Sequence, residues 1–373
     1  MKEKFSMKDA AFHEENISQL SVRIHNNYPQ FQSKKFLASI FDTLHTLELK
    51  ERSLLITDAL TKHLPFDYEK NLSILMNSLP IENTDLEVTG FEGFIMMPLC
   101  SFVSRHGLEH FELSTSALYE LTKRFTSEFD IRFFIERYPE KMLEKFTQWA
   151  EDDNVHIRRL VSEGTRSRLP WAFQLKKYID DPSEIIPLLT LLKDDSELYV
   201  RRSVANNLND ISKDNPDMVI ALLKQWQDAD NKNMKWLIKH ALRTLLKKGN
   251  EDALSLLGFS PSDALAVDIS LSKEIVSLGN ALEMIIKIKS SSKNEIPLMI
   301  DFIVWYQKAN GKLLPKVFKL KQTVIKAKSS IEIKKLHKFA DYSTRKHYAG
   351  KHQIALQING KVYEKVTFDL SMS

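Results

Sequence analysis

Two stretches of the chain, "DDNVHIRRLVSEGTR" (152–166) and "DDSELYVRRSVANNL" (194–208), share one pattern of residues, and this repeat indicates the fold. With one residue inserted, the arginine pair at 158–159 falls 43 positions before the pair at 201–202. Helix-pair repeats of roughly 40 residues are typical of HEAT-like α-solenoids. Residues 1–257 are therefore predicted to form a HEAT-like α-solenoid.

A third and weaker copy, "WLIKHALRTLL" (236–246), places Lys239 and His240 where the arginine pairs stand, 38 positions after the second pair. The second helix of each repeat would then begin with a basic pair at the same phase. Stacked helices would present these pairs as a basic track that suits a backbone of phosphates. Ordinary surface ion pairs are the alternative for each candidate in this track. The candidates are Arg159, Arg166, Arg201, Arg202, Lys239 and Arg243, with the aromatic Trp236 beside them.

The second repeat continues as "YVRRSVANNLNDISKDNP" (199–216), which predicts a helix with an unusual polar face. Its apolar residues recur at helical spacing and face a core: Val200, Val204, Leu208 and Ile211. Asn and Asp are poor helix-interior residues, because their side chains compete for backbone hydrogen bonds. At 100° per residue, Arg202, Asn206 and Asp210 nevertheless share one line. This line is either a self-satisfied polar network or the lining of an active groove.

The first repeat favours the active groove. It carries Arg159, Glu163 and Arg166 along a similar line, followed by Trp171 in "RLPWA". Basic groups on such a face could bind nucleic acid while the carboxylates act on something cationic.

The composition excludes several classes of protein. Apolar residues make up 43% and charged residues 27%, which is ordinary for a soluble globular chain. Glycine is scarce, at 10 of 373 residues, and no glycine-rich phosphate-binding motif is present. The single cysteine, Cys100, gives no disulfide framework. Without a signal core or a membrane-length apolar run, a cytoplasmic protein is expected, and no cofactor is expected.

Charge and periodicity both change in the C-terminal third. Residues 258–373 contain 19 Lys and Arg against 10 Asp and Glu, while residues 1–257 contain 34 against 39. Alternating segments at 281–289 and 361–370 predict strands, and Asn359-Gly360 predicts a hairpin. About seven short strands predict a small all-β, immunoglobulin-like sandwich over residues 258–373. Its basic surplus suggests a polyanion partner, with a solvated basic face as the alternative.

The motif that most resembles a metal-binding site is "HGLEH", because His106, Glu109 and His110 match the H-x-x-E-H spacing of one class of zinc peptidases. That chemistry requires a continuous helix, whereas Gly107 interrupts this one. A helix junction is therefore predicted here, and no metal site is expected.

Three segments resemble the DNA alkylation repair glycosylases built from HEAT-like repeats, the AlkC and AlkD group: "RRLVSEGTRSRLPWA", "YVRRSVANNLNDISKDNPD" and "WLIKHALRTLLKKGNEDALSLLG". The resemblance to the AlkC branch covers essentially the whole chain. That branch has an immunoglobulin-like C-terminal domain, and "KKLHKFADYSTRKHYAGKHQIALQINGK" looks like it.

The resemblance implies a monofunctional DNA glycosylase that excises cationic N-alkylated bases such as 3-methyladenine, 3-methylcytosine or 1-methyladenine. By the same resemblance, the family's catalytic acids map onto Glu128, Glu163 and Asp210, and Trp171 is expected to contact the sugar or the cationic base. Asp210 is the carboxylate expected to position water. The implied partner is double-stranded DNA that contains alkylated bases, and no membrane is involved. The loop 338–352 is expected to reach the DNA, through Arg345, Lys346, Tyr348 and its neighbours Lys338, Tyr342, Lys351 and His352.

Two other functions remain open at this stage. HEAT arrays often act as scaffolds, so a non-catalytic DNA-binding or scaffold protein is the main alternative. A metallopeptidase built on "HGLEH" is the second, and it would require bound zinc. The working unit is expected to be a monomer, and no lysine is singled out as a nucleophile for strand cleavage.

Overall fold

The structure, a computed structural model, describes residues 6–82, 91–228, 230–341 and 345–372. The chain forms two compact units. The first contains residues 1–215 and 227–241, and the second contains residues 216–226 and 242–373. Across the residues that the structure describes, no helix combines the length and the apolar character that crossing a bilayer requires.

Up to residue 256, the regular elements of the described residues are helices. They are α1 (Met7–Ala11), α2 (Glu14–Asn27), α3 (Ser33–Phe41), α4 (Leu49–His63), α5 (Tyr68–Asn77), α6 (Met97–His106), α7 (Phe111–Thr122), α8 (Ile131–Arg137), α9 (Pro139–Trp149), α10 (Val155–Gly164), α11 (Lys176–Asp180), α12 (Ile186–Leu192), α13 (Leu198–Ile211), α14 (Pro216–Gln225), α15 (Lys232–Ala241), α16 (Arg243–Lys248) and α17 (Glu251–Leu256). Short 3-10 helices cover Leu44–Thr46, Glu92–Met96 and Ser183–Ile185.

The repeated sequence corresponds to repeated helices. Helix α13 packs against α10 on one side and against α15 on the other, and α12 contacts both α10 and α13. Proline begins α9 and lies in the first turn of α12, where its missing N–H costs nothing. Asn154 caps α10 by accepting a 2.9 Å hydrogen bond from the backbone N–H of His156. The predicted HEAT-like helical fold is confirmed.

The strands begin after α17. They are β1 (Leu265–Leu271), β2 (Ile275–Ser277), β3 (Ala281–Ser290), β4 (Ile296–Gln307), β5 (Leu313–Ile325), β6 (Ser330–Lys338), β7 (Gly350–Ile358), β8 (Lys361–Val362) and β9 (Val366–Ser371). One sheet has the order β1-β3-β6, and the other has the order β2-β9-β7-β4-β5 with β8 paired to β7. All pairings are antiparallel except that of β2 with β9.

Alternating side chains of both sheets fill one core, as the period-2 pattern predicts. Buried residues of β3, β4, β7 and β9 form it: Leu282, Met284, Ile286, Ile288, Leu298, Ile300, Phe302, Val304, Ile354, Leu356, Phe368 and Leu370. The predicted immunoglobulin-like sandwich is confirmed. The described residues contain nine strands rather than about seven, because the segment 361–370 is broken into β8 and β9 and the three-residue β2 forms an additional short strand.

The predicted hairpin at Asn359-Gly360 is present. Both residues have positive φ, 48° and 86°, and they connect β7 to β8. Gly360 also approaches Gly249 so closely that a Cβ would lie 2.8 Å from the Gly249 carbonyl oxygen. Helices α16 and α17 therefore pack on the strands within the second unit. The domain boundary expected between residues 257 and 258 lies just after the last helix, α17. That these residues separate two domains stays a prediction.

The segment "HGLEH" lies at a helix junction, as predicted. Helix α6 ends at His106 and α7 begins at Phe111. His106 forms a 2.9 Å hydrogen bond with Thr61, and His110 lies 3.4 Å from Glu69. The two imidazoles therefore have separate partners on different helices.

Candidate active site

Three carboxylates that the sequence singles out meet in one network. Arg159 Nη1 lies 2.5 Å from Glu128 Oε2, and Arg159 Nη2 lies 3.6 Å from Glu163 Oε1. Arg166 then donates through Nη1 to Glu163 (2.6 Å) and through Nε to Asp210 (2.7 Å). These five residues are called the carboxylate–arginine network below. It joins the loop before α8, helix α10 and helix α13.

The network is removed from water. Asp210 is 1% exposed and Glu163 is 5% exposed. Burial would raise the pKa of Glu163, but the nearby charges of Arg159 and Arg166 outweigh burial and lower this pKa below its ordinary value. Burial would likewise lower the pKa of Arg166, but Glu163 and Asp210 raise it. Both partners are thus held in their charged forms at neutral pH.

Two further side chains contact the network. Ser203 Oγ donates a 2.6 Å hydrogen bond to Glu163 Oε2 from the facing helix α13. Lys213 Nζ lies 2.7 Å from Asp210 Oδ1, so each oxygen of Asp210 has one cationic partner. The lysine side chain is partly exposed, at 35%, whereas the Asp210 side chain that it contacts is 2% exposed.

The asparagines of α13 have structural partners. Asn207 is fully buried, and its side chain donates to the Ser162 carbonyl (2.8 Å) and to Thr165 Oγ1 (3.0 Å). Asn206 Oδ1 lies 3.1 Å from His240 Nε2. These contacts fasten α13 to α10 and to α15. The interpretation that the asparagines line an active groove is therefore wrong for Asn207, which lies between two helices.

Trp171 lies in the segment between α10 and α11 and is 56% exposed. Its backbone has φ of 69°, the left-handed region that a bulky side chain rarely adopts. Such a conformation costs on the order of 1–3 kcal/mol and persists only where the surroundings impose it. Phe173, two residues on, is also exposed and contacts Phe133 with ring centroids 5.0 Å apart. The segment thus presents aromatic rings to solvent directly after the network residue Arg166.

The first arginine of each repeated pair is not placed as predicted. Arg158 Nη1 donates to the carbonyls of Asp152 (2.8 Å) and Asp153 (3.0 Å). Arg201 Nη1 donates in the same way to the carbonyls six and five residues before it, those of Asp195 and Ser196. Each arginine thus donates hydrogen bonds to backbone carbonyls of the loop that precedes its own helix. Arg201, which was predicted to contact phosphate, is buried in this role.

The second member of each pair and its neighbours differ in exposure. The guanidinium groups of Arg159 and Arg166 bind buried carboxylates and do not form a basic surface. The predicted basic track is therefore interrupted at these two positions. Arg202 and Lys239 are exposed, and Arg243 is half-buried. Trp236 is partly exposed and stacks on His240 at 5.0 Å with an interplanar angle of 9°.

The C-terminal candidates lie at the sandwich. Arg345 donates a 2.9 Å hydrogen bond to the Tyr306 hydroxyl and lies over the Tyr306 ring. Lys346 is exposed and Tyr348 is half-buried. Tyr342, another member of the predicted DNA-contacting loop, lies outside the described residues.

The part of the chain that the structure describes contains no group of three or more His, Cys, Asp or Glu side chains arranged to hold a metal ion. The histidines of "HGLEH" have the separate partners given above. The residues that meet at the described site are carboxylates and arginines, with exposed aromatic rings in the segment that follows Arg166.

Sequence reasoning missed several contributors to the site. Lys213 follows Asp210 by three residues, a spacing that brings side chains together on a helix and could have indicated it. Thr126 donates to Glu128 (2.9 Å) and accepts from Arg159 (3.2 Å). Arg132, fully buried on α8, had no local signal in the sequence.

Comparisons with known proteins agree with this architecture. A family model described as "DNA alkylation repair enzyme" matches residues 126–245, which include the whole network. A second model, the C-terminal Ig-like domain of the uncharacterised protein YhaZ, matches residues 266–372. The uncharacterised protein YhaZ of Bacillus subtilis (strain 168) is 37% identical over 361 residues, covering 96% of this chain and 98% of YhaZ.

A solved structure extends the match over both units. The alkylpurine DNA glycosylase AlkC of Pseudomonas fluorescens, bound to DNA containing an abasic site analog, aligns with a TM-score of 0.90 and 33% identity. The alignment covers 98% of this chain and 99% of that one. The chain belongs to the AlkC-type DNA alkylation repair family. The AlkC-type match spans the helical repeats and the immunoglobulin-like sandwich together.

The network gives a stability prediction. Replacing Arg166 with Met should destabilise the protein by about 3–5 kcal/mol, because Glu163 and Asp210 would each lose a buried counter-ion. The matched control is Arg168→Met, which breaks a more exposed pair with Asp214 and should cost less than about 1 kcal/mol. Urea unfolding followed by circular dichroism measures both. Equal costs for the two variants would contradict a buried, mutually dependent network.

Proposed function

We propose that this protein is a monofunctional DNA glycosylase that hydrolyses the N-glycosidic bond of cationic N-alkylated bases. The bases we propose are 3-methyladenine, 3-methylcytosine and 1-methyladenine in double-stranded DNA. The observation that carries the proposal is the buried network in which arginines hold Glu128, Glu163 and Asp210 next to the segment bearing exposed Trp171. Membership of the AlkC-type family supports the same reaction class.

The chemistry suits fixed carboxylates. An alkylated base of this type already carries positive charge, so it can leave without being protonated by the protein. Positive charge then develops on the deoxyribose, and preorganised carboxylates stabilise such an oxocarbenium-like sugar electrostatically. Electrostatic interactions are stronger in a site that excludes water. The burial of Glu163 and Asp210 therefore favours this role.

Asp210 is the residue proposed to position the attacking water. A carboxylate can accept about four hydrogen bonds, whereas Arg166 and Lys213 supply one to each oxygen of Asp210. Acceptor capacity thus remains for a water molecule. The water would add to C1′ of the sugar as the bond to the base breaks, and its proton would pass to Asp210. Glu163 and Glu128 contribute charge to the same centre.

The aromatic and basic side chains are proposed to hold the DNA. The exposed indole of Trp171 can contact the sugar or the cationic base through its π face. Arg202, Lys239, Arg243 and Trp236 are proposed contacts in the helical repeats, and Arg345, Lys346 and Tyr348 in the sandwich. Arg159, Arg166 and Arg201 are proposed to act indirectly, since their guanidinium groups bind protein atoms. The proposed working unit is a monomer.

The proposal includes no strand-cleaving step. A lyase would require an amine that forms a Schiff base with the sugar. Lys213 is the lysine of the network, and it serves as the ion-pair partner of Asp210.

A non-catalytic DNA-binding or scaffold protein is the second candidate. The observation that favours it is that Glu128, Glu163 and Asp210 all have cationic protein partners, as they would in a purely structural ion-pair network. Such a protein would bind DNA without releasing a base, which the following experiment detects.

Asp210→Asn should lower the single-turnover rate of base release from 3-methyladenine duplex DNA by about 100-fold or more, by analogy with removing one preorganised electrostatic group. Binding to the same DNA should change by only a few-fold, because Asp210 is buried. The control is Asp214→Asn, which alters the neighbouring ion pair with Arg168 and should leave the rate nearly unchanged. Absence of base release by the wild-type protein, with DNA binding intact, would favour the scaffold function.

Lys346→Gln should reduce the slope of log affinity against log salt concentration by about 0.9, the contribution of one phosphate contact in duplex DNA. Lys289→Gln, at an exposed position of β3 in the same sandwich, is the control and should leave the slope unchanged. The measurement is a fluorescence anisotropy titration of duplex DNA at several salt concentrations. Identical slopes for both variants would remove Lys346 from the DNA contacts.

A further inference from the structure

The segment between α10 and α11 is held by hydrogen bonds from helix α8, which precedes the two repeated sequences. Arg132 on α8 is fully buried, and its Nη1 donates to the carbonyls of Gly164 (3.0 Å) and Arg166 (2.6 Å). Its Nη2 donates to the carbonyl of Phe173 (2.5 Å), and its guanidinium also lies 5.3 Å from the centre of the Phe173 ring. One side chain thus holds the backbone on both sides of Trp171.

The backbone at Trp171 itself has a different anchor. The ammonium group of Lys50, on α4, donates a hydrogen bond to the Trp171 carbonyl oxygen. Lys50 and Trp171 are 121 positions apart in the chain, and the lysine side chain is exposed. The bond is made to a residue whose φ of 69° is unfavourable for a tryptophan. Trp171 is 56% exposed, and a donor at its carbonyl oxygen restrains the backbone from which the indole ring projects.

We propose that Lys50 is a positioning residue for base excision, which acts by holding Trp171 in its left-handed backbone conformation against the segment fixed by Arg132. Lys50 lies outside the residues matched by the DNA alkylation repair family model, which begin at 126. The expected effect of Lys50 on the rate of base excision rests on the proposed function. It assigns to the N-terminal helices a direct part in arranging the site.

The main alternative for an exposed lysine in a DNA-binding protein is a phosphate contact, and kinetics separate the two roles. A positioning residue changes the rate of the bound complex, whereas a phosphate contact changes affinity and its salt dependence. Lys50→Met should lower the single-turnover rate at saturating protein by about 10- to 100-fold, because small misplacements of a positioning group are costly. DNA affinity should change by only a few-fold and its salt slope should remain the same.

Two matched variants make this test specific. Lys50→Arg keeps a donor that can reach the carbonyl and should restore most of the rate. Lys62→Met removes an exposed lysine from the same helix and should leave the rate unchanged. An unchanged rate for Lys50→Met, combined with weaker binding and a smaller salt slope, would overturn the proposal in favour of a phosphate contact.

A double-substitution cycle tests whether Lys50 acts through Trp171. In a Trp171→Ala protein the indole ring that Lys50 is proposed to position is gone. Adding Lys50→Met should then lower the rate by less than about twofold, because coupled residues are not additive. If Lys50→Met lowers the rate by the same factor in both backgrounds, the lysine acts independently of Trp171 and the proposal is wrong.

A measurement on the protein alone separates this inference from the proposed function. The difference in fluorescence between the wild type and Trp171→Phe isolates Trp171 from the other four tryptophans. Lys50→Met should lower the anisotropy of that component, since the ring loses its backbone anchor, and Lys50→Arg should keep it. If the wild type releases no base, the proposed function fails and this anisotropy decides the inference. An anisotropy unchanged by Lys50→Met would then overturn it.

Discussion

The site depends on one side chain, Arg166, which joins carboxylates from two successive repeats. Its guanidinium binds Glu163 on its own helix pair and Asp210 on the next, and its carbonyl is held by Arg132. Because both carboxylates are buried, removing this shared partner would leave part of their negative charge uncompensated inside the protein. The same residue begins the segment that carries Trp171. The geometry of the acids and that of the aromatic surface are therefore set together.

Such a network is suited to a reaction whose leaving group is already charged. A protein that must protonate its substrate needs an acid with a raised pKa, whereas neighbouring arginines lower the pKa of Glu163. In the proposed reaction, fixed negative charge in a water-poor site would instead favour the cationic sugar that forms as the base departs. Lys213, the second cationic partner of Asp210, has a partly exposed side chain.

The sequence repeat was informative about the acidic residues. Glu163 and Asp210 could be predicted to converge because they lie on equivalent helices that stack side by side, and the Asn359-Gly360 turn follows from local backbone preference. The contacts of the basic pairs were harder to predict, because the side chains of adjacent residues on a helix point about 100° apart. The pattern could not tell that Arg158 and Arg201 turn back to loop carbonyls. Lys50 gave no signal at all, because its partner is a distant backbone atom.

The pH dependence of base release distinguishes electrostatic stabilisation from protonation of the leaving base. The measurement is the single-turnover rate on 3-methyladenine duplex DNA, with the protein saturating, between about pH 6 and pH 8. The account predicts a nearly constant rate, because the base carries its charge permanently and the lowered pKa of Glu163 keeps that acid ionised throughout. A rate that falls about tenfold for each pH unit on raising the pH would show that a protonated group drives the reaction, and would contradict the account.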